Sequence, residues 1–143
     1  MSYDYIVHID AGRTHYLNNL TFNIISKELE KNPEISFFGR KHPFLNNIYE
    51  EYNKVKKGNK DDPFYIEKWK NKLNSENFLQ IVPHMELCFF IRKLADNNLT
   101  KLFEKIYDNL IKYKLKRDQL LFCYQLQNSN FKNYVVFEKL NIK

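Results

Sequence analysis

The sequence predicts an α/β domain with a small mixed sheet and about five helices, because strand-like apolar runs alternate with segments of helical periodicity. At 143 residues the chain is long enough to bury a core, and residues 1–143 are interpreted as one domain. With only three Gly and four Pro, no long flexible linker is expected to divide it.

The predicted strands are short apolar runs bounded by polar or turn residues. Tyr5–Ile9 is followed directly by Asp10, and the strongest strand signal, at 87–91, ends at Arg92. Two further strands are expected at 35–39 and Tyr134–Phe137.

The first two predicted helices are marked by the spacing of their apolar residues and by their ends. One is expected at 17–31, with Pro33 just beyond its end, where a helix should stop. The other is expected at 46–57, with Gly58 as a C-terminal cap.

The remaining helices carry similar signals. Asp62 is suited to cap a third helix, and Pro63 would occupy its first turn. A clear apolar face predicts a helix at 99–114, and apolar spacing predicts another at 117–127, which begins beside Asp118.

The composition is typical of a globular protein, with 43% apolar and 16% aromatic residues. No apolar run approaches the roughly 20 residues needed to span a bilayer, and the first residues lack the pattern of a secretory signal. Cys88 and Cys123 lie in apolar surroundings and are interpreted as reduced core thiols, with a disulfide as the alternative. We therefore expect a cytoplasmic protein.

The net charge of +6 could indicate a nucleic-acid or membrane-surface partner. The positive residues are nearly all Lys, however, and they are dispersed among Glu and Asp, which favours a solvated surface. A joint excess of Lys, Asn, Ile, Tyr and Phe is what the codons of an AT-rich genome produce. A nucleic-acid partner is therefore not expected, and a functional basic patch is the alternative.

Missing motifs exclude several kinds of site. The glycines stand only at 12, 39 and 58, so there is no Walker loop and no GxGxxG, and CxxC, HExxH and GxSxG are absent as well. Polar residues at the ends of strands and helices are left as candidates. In open α/β sheets, ligands bind at the carboxyl ends of the strands.

Three carboxylates are candidates on these grounds. Asp10 could hold a hard divalent cation, or it could begin a turn with Gly12. Glu50 and Glu51 are adjacent on a predicted helix, where neighbouring side chains point about 100° apart. At most one of the two can face a cleft, and both could instead be solvated.

Charged residues at two other element ends could meet an anion. Arg92 ends the strongest strand, where it could bind a phosphate or a carboxylate. Arg117 lies beside a predicted helix N-terminus, which suits an anionic ligand. Asp118 could cap that helix or belong to the same site.

Two blocks stand out, Lys41-His42-Pro43 with Ile48-Tyr49-Glu50-Glu51, and Arg117-Asp118-Gln119-Leu120. In order and spacing they resemble the glycosyltransferase-like domain of plant mucilage-synthesis and turgor-regulation proteins, which many bacterial and viral proteins share. The resemblance covers most of the chain, from Tyr5 to Gln127. The other segments that contribute are 35–38, Lys60-Asp61-Asp62-Pro63, Ile66, Glu86 and Arg92.

The resemblance implies a nucleotide-sugar-dependent transferase fold of the GT-A-like kind, with a single α/β sandwich. In that fold an Asp-x-Asp-like motif ends a strand and holds Mn²⁺ or Mg²⁺ against the sugar-nucleotide diphosphate. Asp10 matches the first Asp of that motif, and Gly12 stands in place of the second carboxylate. A metal would then be held by Asp10, the diphosphate and waters.

The resemblance also implies the residues of a donor–acceptor cleft. Asp118 and Glu50 would be its catalytic or acceptor-orienting carboxylates, and Arg117 or Arg92 would contact phosphate. The expected ligands are a nucleotide-sugar donor and an acceptor that the sequence does not identify. The implied substrate-binding residues are His42, Glu86, Arg92, Arg117 and Gln119.

In such transferases a nucleotide-binding half precedes the metal motif, and this chain departs from that order. Here the strand of that motif begins within a few residues of Met1. We therefore expect the C-terminal portion of a larger or split enzyme, or a degenerate remnant, which transfers sugar poorly unless a separate chain supplies the missing half. An exposed sheet edge near Tyr5–Ile9 would follow. The alternative function is a non-catalytic binding module that retains the fold.

Overall fold

The computed structural model describes residues 4–16 and 18–138 and confirms the predicted alternation of strands and helices. Leu17, where the first helix was expected to begin, lies outside the described residues. The strands are β1 (Tyr5–Ile9), β2 (Phe37–Lys41), β3 (Met85–Lys93) and β4 (Tyr134–Phe137). The α-helices are α1 (Asn19–Lys31), α2 (Ile48–Lys57), α3 (Pro63–Ser75), α4 (Asn97–Tyr113) and α5 (Phe122–Gln127). Two 3₁₀ segments lie at Ala11–Tyr16 and Asp118–Leu120.

The sheet is mixed, with the strand order β1-β3-β2-β4. β3 runs antiparallel to both β1 and β2, and β4 runs parallel to β2. The carboxyl ends of β1 and β2 therefore lie at the same end of the sheet as the amino end of β3. We call this end the pocket end.

Side-chain caps fix where four of the helices begin. Asn18, Asn47, Asp62 and Asp96 each accept hydrogen bonds from backbone N–H groups in the first turn of α1, α2, α3 and α4. Such caps satisfy donors that have no partner within the helix. The predicted cap at Asp62 is confirmed, with Pro63 in the first turn of α3.

Apolar clusters cover both faces of the sheet. Phe37 packs in the larger cluster with side chains of α2, α3, α4 and α5, whereas Phe38 packs with Ile25 of α1 on the other face. Neighbouring residues of a strand point to opposite faces, so this pair divides between the two layers. Each such side chain contributes roughly 1.5–3 kcal/mol by its burial.

The predicted helix at 117–127 is replaced by two shorter elements. Asp118–Leu120 is a 3₁₀ segment, and α5 begins only at Phe122. Tertiary bonds hold the first part out of a regular α-helix: the indole Nε1–H of Trp69 donates to the Leu120 carbonyl at 2.9 Å, and the Gln119 amide is bound to β3.

Cys88 and Cys123 are both buried and both free, so the disulfide alternative is not realised. Burial raises the pKa of Cys88 to about 11 and that of Cys123 to about 12, which keeps both thiols protonated at neutral pH.

Among the described residues, none of the helices combines the length and the apolar character that a membrane crossing requires.

Candidate functional site

A polar pocket of about 430 Å³ lies at the pocket end of the sheet. Six residues singled out from the sequence line it: Asp10, His42, Glu86, Arg117, Asp118 and Gln119. They come from the ends of β1, β2 and β3 and from the Asp118–Leu120 segment, which are far apart in sequence. Glu51, the neighbour of Glu50 in the candidate pair, lines the pocket too. The pocket is also lined by residues to which the sequence assigned no site role, namely His8, Arg13, Lys54, Lys60, Leu87 and Cys88.

Arg92, which was expected in the cleft, lies outside this pocket. It pairs with Ile6 and Phe37 at the far end of β3, and its guanidinium carbon lies 5.1 Å from the ring centroid of Phe103. Because β3 runs antiparallel to its neighbours, its carboxyl end is directed away from the pocket. Arg92, which was predicted to contact phosphate, therefore lies apart from the other candidate residues.

Glu50 lies outside the pocket as well. Its carboxylate accepts a 2.8 Å hydrogen bond from the backbone N–H of Asn46, just before α2 begins. The next residue, Glu51, lines the pocket instead. The sequence argument that at most one of the pair faces a cleft holds, but the residue that does so is Glu51. Helical geometry alone could not select between them.

Glu86 is held by two arginines. Its carboxylate oxygens lie 3.2 Å from Arg13 and 3.1 Å from Arg40. Such charge-assisted contacts are strong and directional. Glu86 is therefore compensated by two guanidinium groups, of which Arg13 lines the pocket and Arg40 does not, and it presents no uncompensated charge to a ligand. Arg13 comes from the 3₁₀ segment after β1, which the sequence pattern indicated only as a turn.

A buried carboxylate–imidazole cluster lies beneath the pocket. Glu51 is 3% exposed, and its Oε2 lies 3.4 Å from Nε2 of His84 and 3.9 Å from Nε2 of His42. Nδ1 of His42 accepts from the backbone N–H groups of Phe44 at 3.1 Å and Leu45 at 2.9 Å. In the neutral ring the proton therefore sits on Nε2, which faces Glu51.

The pKa values in this cluster favour an anionic Glu51 and a neutral His42. Burial alone would raise the pKa of Glu51, but the hydrogen bond with His84 and the charges of the imidazoles and Lys54 outweigh it, so the pKa is lowered. Burial lowers the pKa of His42, and Lys54 and His84 add to this effect, while Glu51 and Glu86 oppose it. His42 thus acts through Glu51 rather than offering a ring nitrogen to a ligand.

The segment around Arg117 is anchored from below by buried groups. Asp61 is 6% exposed, and its carboxylate accepts from the backbone N–H of Lys116 at 2.8 Å. Gln119 accepts from the N–H of Leu87 at 3.0 Å and donates to the Met85 carbonyl, so its amide is fully used by β3. These bonds leave Arg117 and Asp118 on a fixed turn at the pocket, and Gln119 serves to position them.

Gln119 binds β3 where the ladder with β2 is interrupted. The register of β2 against β3 shifts between Gly39 and Arg40, so that Gly39 pairs with Phe90 and Arg40 with Glu86. Leu87 has no β2 partner in this register, whereas Met85 pairs with Lys41. Gln119 therefore attaches the turn of Arg117 and Asp118 to β3 next to the bulge.

Asp10 is the residue expected to hold Mn²⁺ or Mg²⁺. Its carboxylate is exposed and lies 3.2 Å from Nε2 of His8, which stacks on Phe90. Within the described part of the chain, no group of three or more His, Cys, Asp or Glu side chains is arranged to hold a metal ion. Asp10 offers a metal ion one carboxylate, so Mn²⁺ or Mg²⁺ at this place would take the rest of its oxygen ligands from the diphosphate and water, and no step is assigned to a metal.

Comparisons of the chain with protein-family models, with curated proteins and with solved structures find no match. The function is therefore argued from the chemistry of the pocket.

Proposed function

We propose that the pocket binds a nucleotide-sugar donor and that the chain is a glycosyltransferase-like domain of GT-A-like kind. One observation carries the proposal: His42 and the Arg117–Gln119 trio, which belong to the blocks of the family resemblance, line one pocket at the end of a small sheet together with Asp10, which the resemblance matches to the metal motif. A cleft at the carboxyl ends of strands is where open α/β sheets bind their ligands.

The reaction would join an acceptor hydroxyl to the anomeric carbon of the donor sugar. The new C–O bond forms as the bond to the diphosphate breaks, and the bonding electron pair leaves with the diphosphate. The hydroxyl proton passes to a carboxylate, and we assign this role to Asp118, which is exposed at the pocket on a fixed turn. Glu51, rather than Glu50, is the carboxylate of α2 that lines the pocket.

The proposal is tested by titrating the protein with a panel of UDP-, GDP-, ADP- and TDP-linked sugars. At least one member should raise the unfolding temperature, since a ligand at a hundred times its Kd stabilises by about 2.7 kcal/mol. The same donor should release its nucleotide product slowly, and Asp118→Asn should reduce that rate by about a hundredfold.

Asp108→Asn is the matched control, because Asp108 is exposed on α4 and does not line the pocket. It should keep the wild-type rate and the wild-type thermal shift. If no sugar nucleotide in the panel shifts the unfolding temperature at millimolar concentration, the donor-binding proposal fails.

A non-catalytic binding module is the second candidate. Gly12 in place of the second metal-motif carboxylate favours it, because a pocket can bind an anionic sugar nucleotide without that group. A donor that binds but releases no product, with equal affinity for wild type and Asp118→Asn, would support this candidate over the transferase.

A further inference from the structure

We propose that Lys54, Lys60 and Arg117 form a diphosphate-binding subsite in the pocket, so that side-chain cations neutralise the charge that a metal ion would otherwise offset. The inference rests on the proposed function for the identity of the anion. The subsite itself is argued from the charges, backbone anchors and buried donors of the pocket wall.

The charged groups of the pocket differ in how closely they are paired. Glu86 is paired with Arg13 and Arg40, and Glu51 contacts two imidazoles. In contrast, Lys54, Lys60 and Arg117 have no carboxylate oxygen within 4.0 Å among the residues that the structure describes. Asp10, Glu51 and Asp118 line the same pocket, but none of them is at ion-pair distance from these cations, which leaves the three cations able to contact an anionic ligand directly.

Backbone contacts, rather than ion pairs, hold the segments that carry the three cations. The N–H of Lys60 donates to the Val55 carbonyl at 3.1 Å, so the loop turns back over the end of α2, next to Lys54. The buried carboxylate of Asp61 then binds the N–H of Lys116 at 2.8 Å, which holds Arg117 beside the same loop. The cationic wall is therefore built by the fold.

One donor of the subsite has no partner. Nε of Arg117 is buried and has no hydrogen-bond acceptor in the described part of the chain. Nε of Arg92 is unpartnered as well, but only Arg117 of these two lines the pocket, where a ligand atom can reach its donor. A phosphate oxygen would supply that acceptor, and the planar guanidinium matches phosphate geometry with two parallel hydrogen bonds.

These features suit a diphosphate in particular. The Arg117 guanidinium can bind one phosphoryl group through two donors, while the ammonium groups of Lys54 and Lys60 act as compact charges on the rest of the anion. When the sugar–oxygen bond breaks, the electron pair moves to the diphosphate oxygen, and these cations stabilise the negative charge that develops there.

The test is calorimetric titration of inorganic pyrophosphate in buffer with EDTA, which removes divalent cations. We expect the wild type to bind, and we expect Lys54→Gln, Lys60→Gln and Arg117→Gln each to bind about tenfold more weakly, as the loss of one charge-assisted contact implies. Lys57→Gln is the matched control, because Lys57 is exposed on the same helix outside the pocket. It should bind as the wild type does.

Unchanged pyrophosphate affinity in all three variants would overturn the subsite. Pyrophosphate binding that appears only with added Mn²⁺ and is lost in Asp10→Asn would also overturn it. The same holds if an oligonucleotide binds in EDTA and pyrophosphate does not. Lys60 is exposed, so its variant should keep the wild-type urea midpoint and give a clear answer even if Arg117→Gln is unstable.

The results separate the subsite from the proposed function. Pyrophosphate binding that is weakened by substitution of Lys54, Lys60 or Arg117, without binding of any sugar nucleotide, would support the subsite and reject the nucleotide-sugar donor. A sugar nucleotide that binds all three variants as tightly as the wild type would support the donor proposal and reject the subsite.

Discussion

The two ends of β3 carry charged residues in different settings. At the amino end, Glu86 holds Arg13 and Arg40 beside a polar pocket. At the carboxyl end, Arg92 lies over the ring of Phe103, outside that pocket. A charged residue at a strand end therefore joins a site only where the ends of neighbouring strands, and the turns beside them, converge. The direction of each strand decides which end that is.

The largest effect should come from detaching the pocket end of β3 from the turn that carries Arg117 and Asp118. Gln119→Leu removes the acceptor for the Leu87 N–H and the donor for the Met85 carbonyl, both within a buried contact. Two unsatisfied backbone groups should lower the free energy of unfolding by about 3 kcal/mol. Urea unfolding followed by the fluorescence of Trp69, which is the single Trp of the chain, measures this.

Gln127→Leu is the matched control for that measurement. The Gln127 amide also binds backbone groups, accepting from Ile81 at 2.6 Å and donating to Leu79 at 2.8 Å, but these contacts are exposed. Water can replace them, so the loss should stay below about 1 kcal/mol. Equal losses in the two variants would contradict a special role for Gln119 at the pocket end.

A smaller effect should appear as pH dependence at the pocket end. The pKa values of His42 and Glu51 are both lowered in the folded protein. As the pH falls, the unfolded chain therefore takes up protons on these two groups at a higher pH than the folded protein does. Their stabilising contributions are therefore present at pH 7. The contribution of His42 is lost as pH falls below its usual pKa of 6.5, and that of Glu51 is lost as pH falls below 4.5.

Urea unfolding between pH 7 and pH 4 should show a falling free energy of unfolding in the wild type. His42→Gln should flatten the curve between pH 7 and pH 5.5, while leaving the decline at lower pH that Glu51 contributes. A His42→Gln curve parallel to that of the wild type throughout would show that the imidazole is not held neutral by its burial.

The smallest effect is expected from Arg92→Met at the far end of β3. Met can keep the apolar contact with Phe103, so the free energy of unfolding should change by less than about 1 kcal/mol. Pyrophosphate affinity, measured in EDTA, should stay at the wild-type value because Arg92 does not line the pocket. A loss as large as that of Arg117→Gln would show that the two ends of β3 are not functionally distinct.

Most elements of the fold could be predicted because their signals are local. The apolar runs of β1 and β4 and the cap of α3 at Asp62 depend on residues close in sequence, and the structure places them as expected. The prediction of one helix at 117–127 was wrong because two side chains bind backbone groups that are distant in sequence. Gln119 binds the backbone of β3, and Trp69 binds the Leu120 carbonyl. Local propensity does not contain such tertiary bonds.

The candidate site was predictable to the extent that polar residues followed strand ends. Asp10 was selected because it follows the strand at Tyr5–Ile9, whereas His42, which follows β2, was selected through the family resemblance, and both line the pocket. Glu51 was not separated from Glu50, because the rotation of α2 about its axis depends on how the helix packs. Lys54 had no signal among the many lysines of the chain, and Lys60 stood in a segment of the family resemblance without an assigned role, since only the folded loop brings them to the pocket wall.

The amino-acid sequence by itself determined the class of fold, the approximate position of most elements and the polar residues at their ends, because periodicity, capping and turn chemistry act over a few residues. The tertiary structure alone decided which of those polar residues meet. Antiparallel pairing of β3 places Glu86 at the pocket and Arg92 away from it, and the packing of α2 selects Glu51 over Glu50. Strand direction and helix rotation are set by contacts between distant segments, which local sequence patterns do not specify.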